Sequence, residues 1–378
     1  MTAHRPPASV RTRPARAARP APAAARARAR RVRLPLAGAA LAAAAVLAAG
    51  CQSAPHAAPG GAGSAPGSAR PAHWARYRFV TGVVDLAGPA GGSSSVTVAA
   101  GGRMVRLSSS GAVSPFASGP GGYTTRLGGE PYLAVVPGAA VPGAGCSFRA
   151  GSVFALRTRV NPGVTEVSSA GRARPFASLP NTFPNGITYD NTGRFGHRLL
   201  VTSAVNGRAT LFAFDCAGRR TVISRSLPQM EGGIAVAPRS FGAFGGDLVT
   251  SDELTGRIYA ISPAGQVVLM ARSGIPHGHD LGVETGAFIP PGFGPGWSAY
   301  VADRRTPGSP HPGTETILRM PGAGLLRAGA RPGDLLMVAE GGARSILVRC
   351  SASCTVREIG DGPAVAHVEG HVVFMRPG

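Results

Sequence analysis

Between positions 183 and 272 the chain states one hydrophobic pattern twice. The first copy runs Pro184-Asn185-Gly186-Ile187-Thr188-Tyr189-Asp190, then Leu199-Leu200-Val201-Thr202-Ser203, then Thr210-Leu211-Phe212-Ala213-Phe214, then Thr221-Val222-Ile223. The second runs Glu231-Gly232-Gly233-Ile234-Ala235-Val236, then Asp247-Leu248-Val249-Thr250-Ser251, then Arg257-Ile258-Tyr259-Ala260-Ile261, then Gln266-Val267-Val268-Leu269-Met270. Every run is rich in Val, Ile, Leu, Phe and Tyr and is bounded by Gly, Pro, Asn, Asp or Ser, the punctuation of short antiparallel strands joined by tight turns. No stretch beyond position 75 shows sustained helical periodicity. Four strands repeating at a step of about 47 residues predict the blade of a β-propeller.

The third and fourth runs recur elsewhere. Met104-Val105-Arg106-Leu107 precedes Ser114-Pro115-Phe116-Ala117-Ser118, and Val164-Thr165-Glu166-Val167 precedes Arg174-Pro175-Phe176-Ala177-Ser178. Thr316-Ile317-Leu318-Arg319-Met320 follows, and then Ser345-Ile346-Leu347-Val348 with Thr355-Val356-Arg357-Glu358-Ile359. Second-strand runs at 95–99, 152–156, 199–203, 247–251, 298–302 and 334–339 bring the count to six units. The chain therefore reads as all-β, a single propeller of six four-stranded blades. The segment 321–331 should hold one outer and one inner strand and hardly provides either, so five or seven blades stay open. The last run, 365–374, has no outer strands after it and is expected to pair with the N-terminal blade, closing the ring and removing its exposed edges.

Pro184-Asn185-Gly186-Ile187 followed by Leu199-Leu200-Val201-Thr202 resembles an NHL-type repeat. Over 75–378 the chain is similar to the six-bladed propellers of the gluconolactonase and senescence-marker-protein superfamily. These motifs report strand and turn geometry, and a fold does not fix a function.

Composition adds an address. The first 50 residues carry ten Arg and no acidic residue, and the apolar run 34–47 is too short to cross a bilayer comfortably as a helix. It ends in Ala48-Ala49-Gly50-Cys51, which resembles the lipobox of bacterial lipoproteins, although Ala48 stands where Leu is more usual. The expected organisation is a signal peptide at 1–50, a lipidated Cys51, an Ala/Pro/Gly-rich linker at 51–74 and the propeller at 75–378. That places a monomer on the extracytoplasmic side of the cell membrane, held there by its lipid. The 55 Gly and 34 Pro fit many turns. The net charge of +21 divides into +10 before position 51 and +11 after it (29 Arg against 18 acidic residues). The later excess is scattered, without Lys and without Arg clusters interleaved with aromatics, which argues against nucleic-acid binding. It reads instead as a solvated basic surface, open to anionic lipid or wall polymers.

Four cysteines remain after Cys51, an even number in an exported chain. Cys350 ends a third strand and Cys354 begins the fourth, a spacing that suits a bond within one hairpin. Cys146 lies between strands one and two of its blade and Cys216 between strands three and four of the next, turns that share a face, so an inter-blade bond is geometrically reasonable. The alternative is four free thiols.

Candidate chemistry gathers at the starts of innermost strands. Glu130, Asn185, Glu231 and Asp280 are separated by 55, 46 and 49 residues, near one blade each, which brings them to one mouth of the central channel. Such an oxygen-rich set suits a hard cation such as calcium. In the superfamily that the chain resembles, acidic and amide residues at these places hold the metal, so the resemblance implies the same four here; the alternative is polar residues that merely meet solvent. His277-Gly278-His279-Asp280 is the densest titratable group. The residues after second strands, Asp252-Glu253, Asp303-Arg304-Arg305 and Glu340, should emerge at the same mouth and enlarge its acidic rim or pair with Arg. No Gly-x-Ser-x-Gly elbow and no phosphate loop is present. Two functions follow: a lipid-anchored propeller that binds an unidentified protein or small molecule, or a calcium-dependent gluconolactonase-like hydrolase. A quinone-dependent sugar dehydrogenase falls behind both, because no cofactor-clamping residues can be placed.

Overall fold

The computed structural model describes residues 71–89, 94–118 and 129–376. The signal segment, Cys51 and nearly all of the linker lie outside the described residues. Six sheets of four antiparallel strands succeed one another around a channel, each innermost strand touching those of its neighbours. Blades 1 to 4 follow chain order. Their strands, from the channel outward, are Val83–Ala87, Ser95–Ala100, Arg103–Ser108 and Val113–Ser118 in blade 1, and Leu133–Val135, Val153–Arg157, Gly163–Val167 and Ala173–Ser178 in blade 2. Blade 3 has Phe183–Tyr189, Leu199–Val205, Arg208–Phe214 and Arg220–Leu227; blade 4 has Ala235–Val236, Leu248–Asp252, Arg257–Ile261 and Val267–Arg272.

Blades 5 and 6 are interlocked. Val283–Phe288 forms the inner strand of blade 5, but the chain then crosses to blade 6 for its second and third strands, Ser298–Asp303 and Thr316–Pro321. A short helix, Gly322–Arg327, leads back to blade 5, completed by Leu335–Ala339, Ser345–Cys350 and Cys354–Asp361. Blade 6 is finished by both ends of the fold: Val368–Met375 pairs with Ser298–Asp303 on the channel side, and Ala75–Phe79 pairs with Thr316–Pro321 on the outside. This corrects the expected closure, since the last run does not pair with the N-terminal blade, which is complete without it. It also explains 321–331, which supplies no strand because the outer strand expected there is Ala75–Phe79, from the start of the fold, and the inner one is Val283–Phe288. The ordered fold begins earlier than position 75: Ala72–His73 pairs in parallel with Gly360 and Asp361, and fully buried Trp74 donates its indole N–H to Ser345 Oγ at 2.8 Å.

Burial follows position in the blade. Val83–Ala87 and Leu335–Ala339 are buried throughout because neighbouring blades cover both faces, whereas Val267–Arg272 is mostly exposed. Inner strands therefore read as unbroken apolar runs and outer strands as mixed ones. The core is a series of wedges between blades, as where Phe154 and Leu156 of blade 2 pack against Ile187 and Leu199 of blade 3. Two disulfides, Cys146–Cys216 across blades 2 and 3 and Cys350–Cys354 within a hairpin, are present, in the pairing the spacing predicts. No helix among the described residues is long and apolar enough to cross a membrane.

Candidate functional site: an acidic channel mouth

Inner strands begin at one end of the channel and second strands finish there, so both kinds of terminus deliver side chains to the same mouth. Blade 2 sends Glu130 and Tyr132; blade 4 sends Glu231 and Glu253; blade 5 sends Asp280, Glu284 and Glu340; blade 6 sends Arg304, His367 and Glu369. With Thr306 these charged groups line a cavity of ≈ 230 Å³. Pairing registers slip at Val83/Asp85, Pro184/Gly186 and Val283/Thr285, so that Val84, Asn185 and Glu284 hold the same bulged position in blades 1, 3 and 5. A bulge re-aims a side chain, and in blade 5 it turns Glu284 into the mouth. Gly232 (φ 82°) makes room, since a Cβ there would lie 2.4 Å from Glu284 Cγ.

The mouth is wired through two cations. Arg304 donates to Glu130 Oε1 at 2.5 Å and to Glu369 Oε1 at 2.9 Å. His367 Nε2 lies 2.9 Å from Glu340 Oε1 and 3.3 Å from Glu369 Oε1, and its backbone N–H is held by Asp303 at 2.9 Å. Tyr132 Oη lies 2.6 Å from Glu369 Oε2 and 2.8 Å from Glu284 Oε1. Burial alone would raise the Glu369 pKa and lower that of His367. Their mutual hydrogen bond and the Arg304 charge outweigh it for the carboxyl, which falls to about 2, while the bonds to Glu340 and Glu369 lift His367 to about 10. The other carboxyls move the opposite way. Burial, then the charge of Glu130, pushes Glu231 up to about 9; burial, then Glu340, does the same to Glu253; Glu284, buried beside Glu369, is raised well above the usual range. Glu130 and Glu340 are raised by burial against the pull of Arg304 and His367. The Tyr132 hydroxyl donates toward both carboxyls, the shorter bond going to Glu369, whose low pKa keeps it ionised, while the raised pKa of Glu284 favours its protonated form.

Of the four residues singled out from spacing, three line this mouth and one does not. Asn185 turns its side chain to blade 4, donating Nδ2 to Met230 O at 2.6 Å while its backbone carbonyl takes the Gly232 N–H, a brace on both sides of Glu231; its Oδ1 is buried without a hydrogen-bond partner. Glu284 occupies the place in blade 5 that Asn185 has in blade 3, and Asp280 sits just before it in the loop. His277 and His279 are exposed and outside the cavity lining. Asp252 is spent on its own turn, accepting from Leu254 N and Thr255 Oγ1. Glu284, His367 and Glu369 were not singled out at all, although a carboxylate inside an apolar inner strand, Val283-Glu284-Thr285 or Val368-Glu369-Gly370, is the signal that marks them.

A metal ion could sit among Glu253, Glu284 and Glu340, or among Glu340, His367 and Glu369, whose ligand atoms lie within 4.8 Å of one another in each set. The first set is all oxygen and suits a hard cation. Glu340 Oε2 is buried without a hydrogen-bond partner, and the proton load on the surrounding carboxyls shows positive charge in short supply; both fit a cation.

The far end of the channel is different. A cavity of ≈ 260 Å³ there is lined by inner-strand residues, including Leu133, Tyr189, Ile234, Ala287, Val373 and His371.

No model of a known protein family matches the chain, and no curated protein matches its sequence. Among solved structures it is similar to a streptogramin B lyase (12% identity, 76% of this chain and 72% of that one, TM-score 0.43). It is similar also to virginiamycin B lyase from Staphylococcus aureus (12%, 76% and 73%, 0.42). A third is the calcium-binding protein regucalcin from Agrobacterium tumefaciens (13%, 63% and 74%, 0.36). Likeness at this level is one of fold alone.

Proposed function

We propose that the chain is a lipid-anchored, extracytoplasmic propeller that acts as a binding module, with a hard divalent cation of the calcium class held at the acidic mouth. The observation that carries this reading is the charge count: six Glu and Asp280 converge on one cavity with only Arg304 and His367 to balance them. Glu253, Glu284 and Glu340 would hold the ion, in place of the protons that burial favours on them. Glu130, Glu231 and Asp280 stand around this set, and Asn185 supports them from below. Titration of the purified, chelator-stripped protein with calcium tests the reading: heat and proton release at one equivalent support it, and no binding by calorimetry rejects it. The anchor is tested by Cys51→Ser, expected to abolish lipid labelling and release the protein into the medium; unchanged retention would reject it.

A second reading, a gluconolactonase-like hydrolase, has one observation in its favour. Glu231 and Glu253, with pKa values pushed up to about 9, hold protons at neutral pH beside the candidate cation set, as a general acid must. A bound cation would supply carbonyl polarisation. Absence of turnover on a panel of sugar lactones, in calcium-loaded protein, excludes it.

A further inference from the structure

Strand direction sorts the charges between the two ends of the propeller. Inner strands start at the acidic mouth, so the turns joining first to second and third to fourth strands lie at the opposite end. Arg149, Arg172, Arg194, Arg239, Arg327 and Arg331 stand on those connections and are all exposed. The carboxylates at or near that end are already engaged. Buried Asp190 accepts from the backbone of Phe195 and His197; Asp215 takes Arg219, Asp334 takes Arg349, Glu166 takes Arg174, and Asp247 faces Arg194. Among the described residues, this end therefore presents guanidinium groups with no exposed carboxylate left to answer them. Trp297, part-exposed on the same end, lies under the guanidinium of Arg376, whose carbon is 5.1 Å from the ring centroid. Trp beside Arg is the pairing that sits at a boundary between polar headgroups and hydrocarbon.

We infer that the end opposite the acidic mouth is a docking surface for an anionic lipid membrane. Spread over several blades, the Arg groups match a plane of phosphates better than they match a point ligand. Each Arg near an anionic bilayer contributes on the order of a fivefold gain in partitioning, lost as salt screens it. Docking in this way leaves the cation-binding mouth facing away from the membrane. The inference goes beyond the proposed function and holds with or without the anchor at Cys51.

The test uses the full chain carrying Cys51→Ser, so that lipidation contributes nothing, and the Arg-rich lead is common to every variant compared. The probe is vesicles of phosphatidylglycerol mixed with phosphatidylcholine, against phosphatidylcholine alone. Of the two tryptophans, Trp74 is fully buried, so quenching by brominated phosphatidylglycerol reports contact at Trp297. The expected result is quenching on anionic vesicles only. The triple change Arg149→Glu, Arg172→Glu, Arg331→Glu should abolish quenching and cut partitioning on the order of a hundredfold. The triple change Arg103→Glu, Arg159→Glu, Arg272→Glu, at exposed positions toward the acidic end, should preserve both, and thermal melting of each variant checks the fold. Absence of quenching on anionic vesicles overturns the inference, as do equal binding to neutral vesicles or equal losses in the two triple variants.

Discussion

The two ends of the channel each bury carboxylates, and they use them oppositely. Toward the far end, Asp85 is fully buried and every lone pair has work: it accepts the backbone N–H groups of Leu86, Leu133 and His371 at 2.6–2.7 Å and the imidazole of His371 at 3.0 Å. His371 passes its other ring N–H to Ile187 O at 2.9 Å, and although burial would lower its pKa, Asp85 outweighs that and raises it. Gly370 (φ 72°) lets this happen, since a Cβ there would lie 2.1 Å from Asp85 Oδ1. One charged pair thus ties blades 1, 2, 3 and 6 together. At the acidic mouth the count does not close: seven carboxyls meet two cations, and Glu340 Oε2 is buried without a partner. A buried charge whose bonds are complete belongs to the scaffold, whereas a surplus of one sign in a cavity is a site prepared for the opposite sign.

Removing a carboxylate should therefore have opposite consequences at the two ends. The largest effect is expected from Asp85→Ala, which leaves an unpaired buried imidazolium and three orphaned N–H groups; denaturant unfolding should show a loss of about 3–5 kcal/mol, with or without calcium. A loss below about 1 kcal/mol would erase the distinction. Next comes the cation itself. Calcium at a hundred times its dissociation constant should raise unfolding free energy by about 2.7 kcal/mol, visible as a higher melting temperature that chelator reverses. The same calcium should leave the cost of Asp85→Ala unchanged, because that site offers no free oxygen.

The contrast between the ends also marks what could be read in the sequence. Strands and turns were legible because apolar runs and Gly or Pro punctuation act locally, and blades 1 to 4 obey chain order. The interlock of blades 5 and 6 was not, because Val283–Phe288 and Ser298–Asp303 are sequence neighbours that pair with distant partners, and only the barren 321–331 betrayed the exchange. Spacing brought out Glu130, Glu231 and Asp280, residues in loops ahead of inner strands. Glu284 escaped because a bulge, invisible to an alternating pattern, changes where its side chain points. Asp85 and His371 were hidden for another reason: they lie 286 residues apart, and nothing local ties an Asp in the first blade to a His in the last strand.

Two smaller effects complete the comparison at the acidic mouth. Glu231 and Glu253 titrate near pH 9 in the fold against about 4.3 in an unfolded chain, so between these values the folded state holds protons that the unfolded state has released. A group raised in this way supports the fold at low pH and withdraws that support as pH climbs through the folded value. Chelated protein should accordingly lose stability from about pH 5 to pH 9, and calcium, by replacing the protons, should flatten the decline. His367 adds to the fall from about pH 6.5, where an unfolded His releases its proton, and its contribution is lost once pH passes about 10 and its bonds to Glu340 and Glu369 lose their charge.

Glu253→Gln isolates one proton of this set. Below about pH 4, where the parent side chain is neutral in both the folded and the unfolded state, the amide should change stability by less than about 0.5 kcal/mol, a small effect beside that of Asp85→Ala. The amide cannot ionise, however, and without cation the variant should become the more stable of the two as pH rises from about 5 toward 9, neutral pH included, by at most about 1.4 kcal/mol per pH unit for one proton. It should also lose most of the response to calcium, since a ligand oxygen has become a weaker neutral one. Melting curves of parent and variant across pH, with calcium and with chelator, read all three consequences. A variant that still responds fully to calcium would remove Glu253 from the cation set, and one as costly at neutral pH as Asp85→Ala would show that the acidic mouth, like the far end, is scaffold.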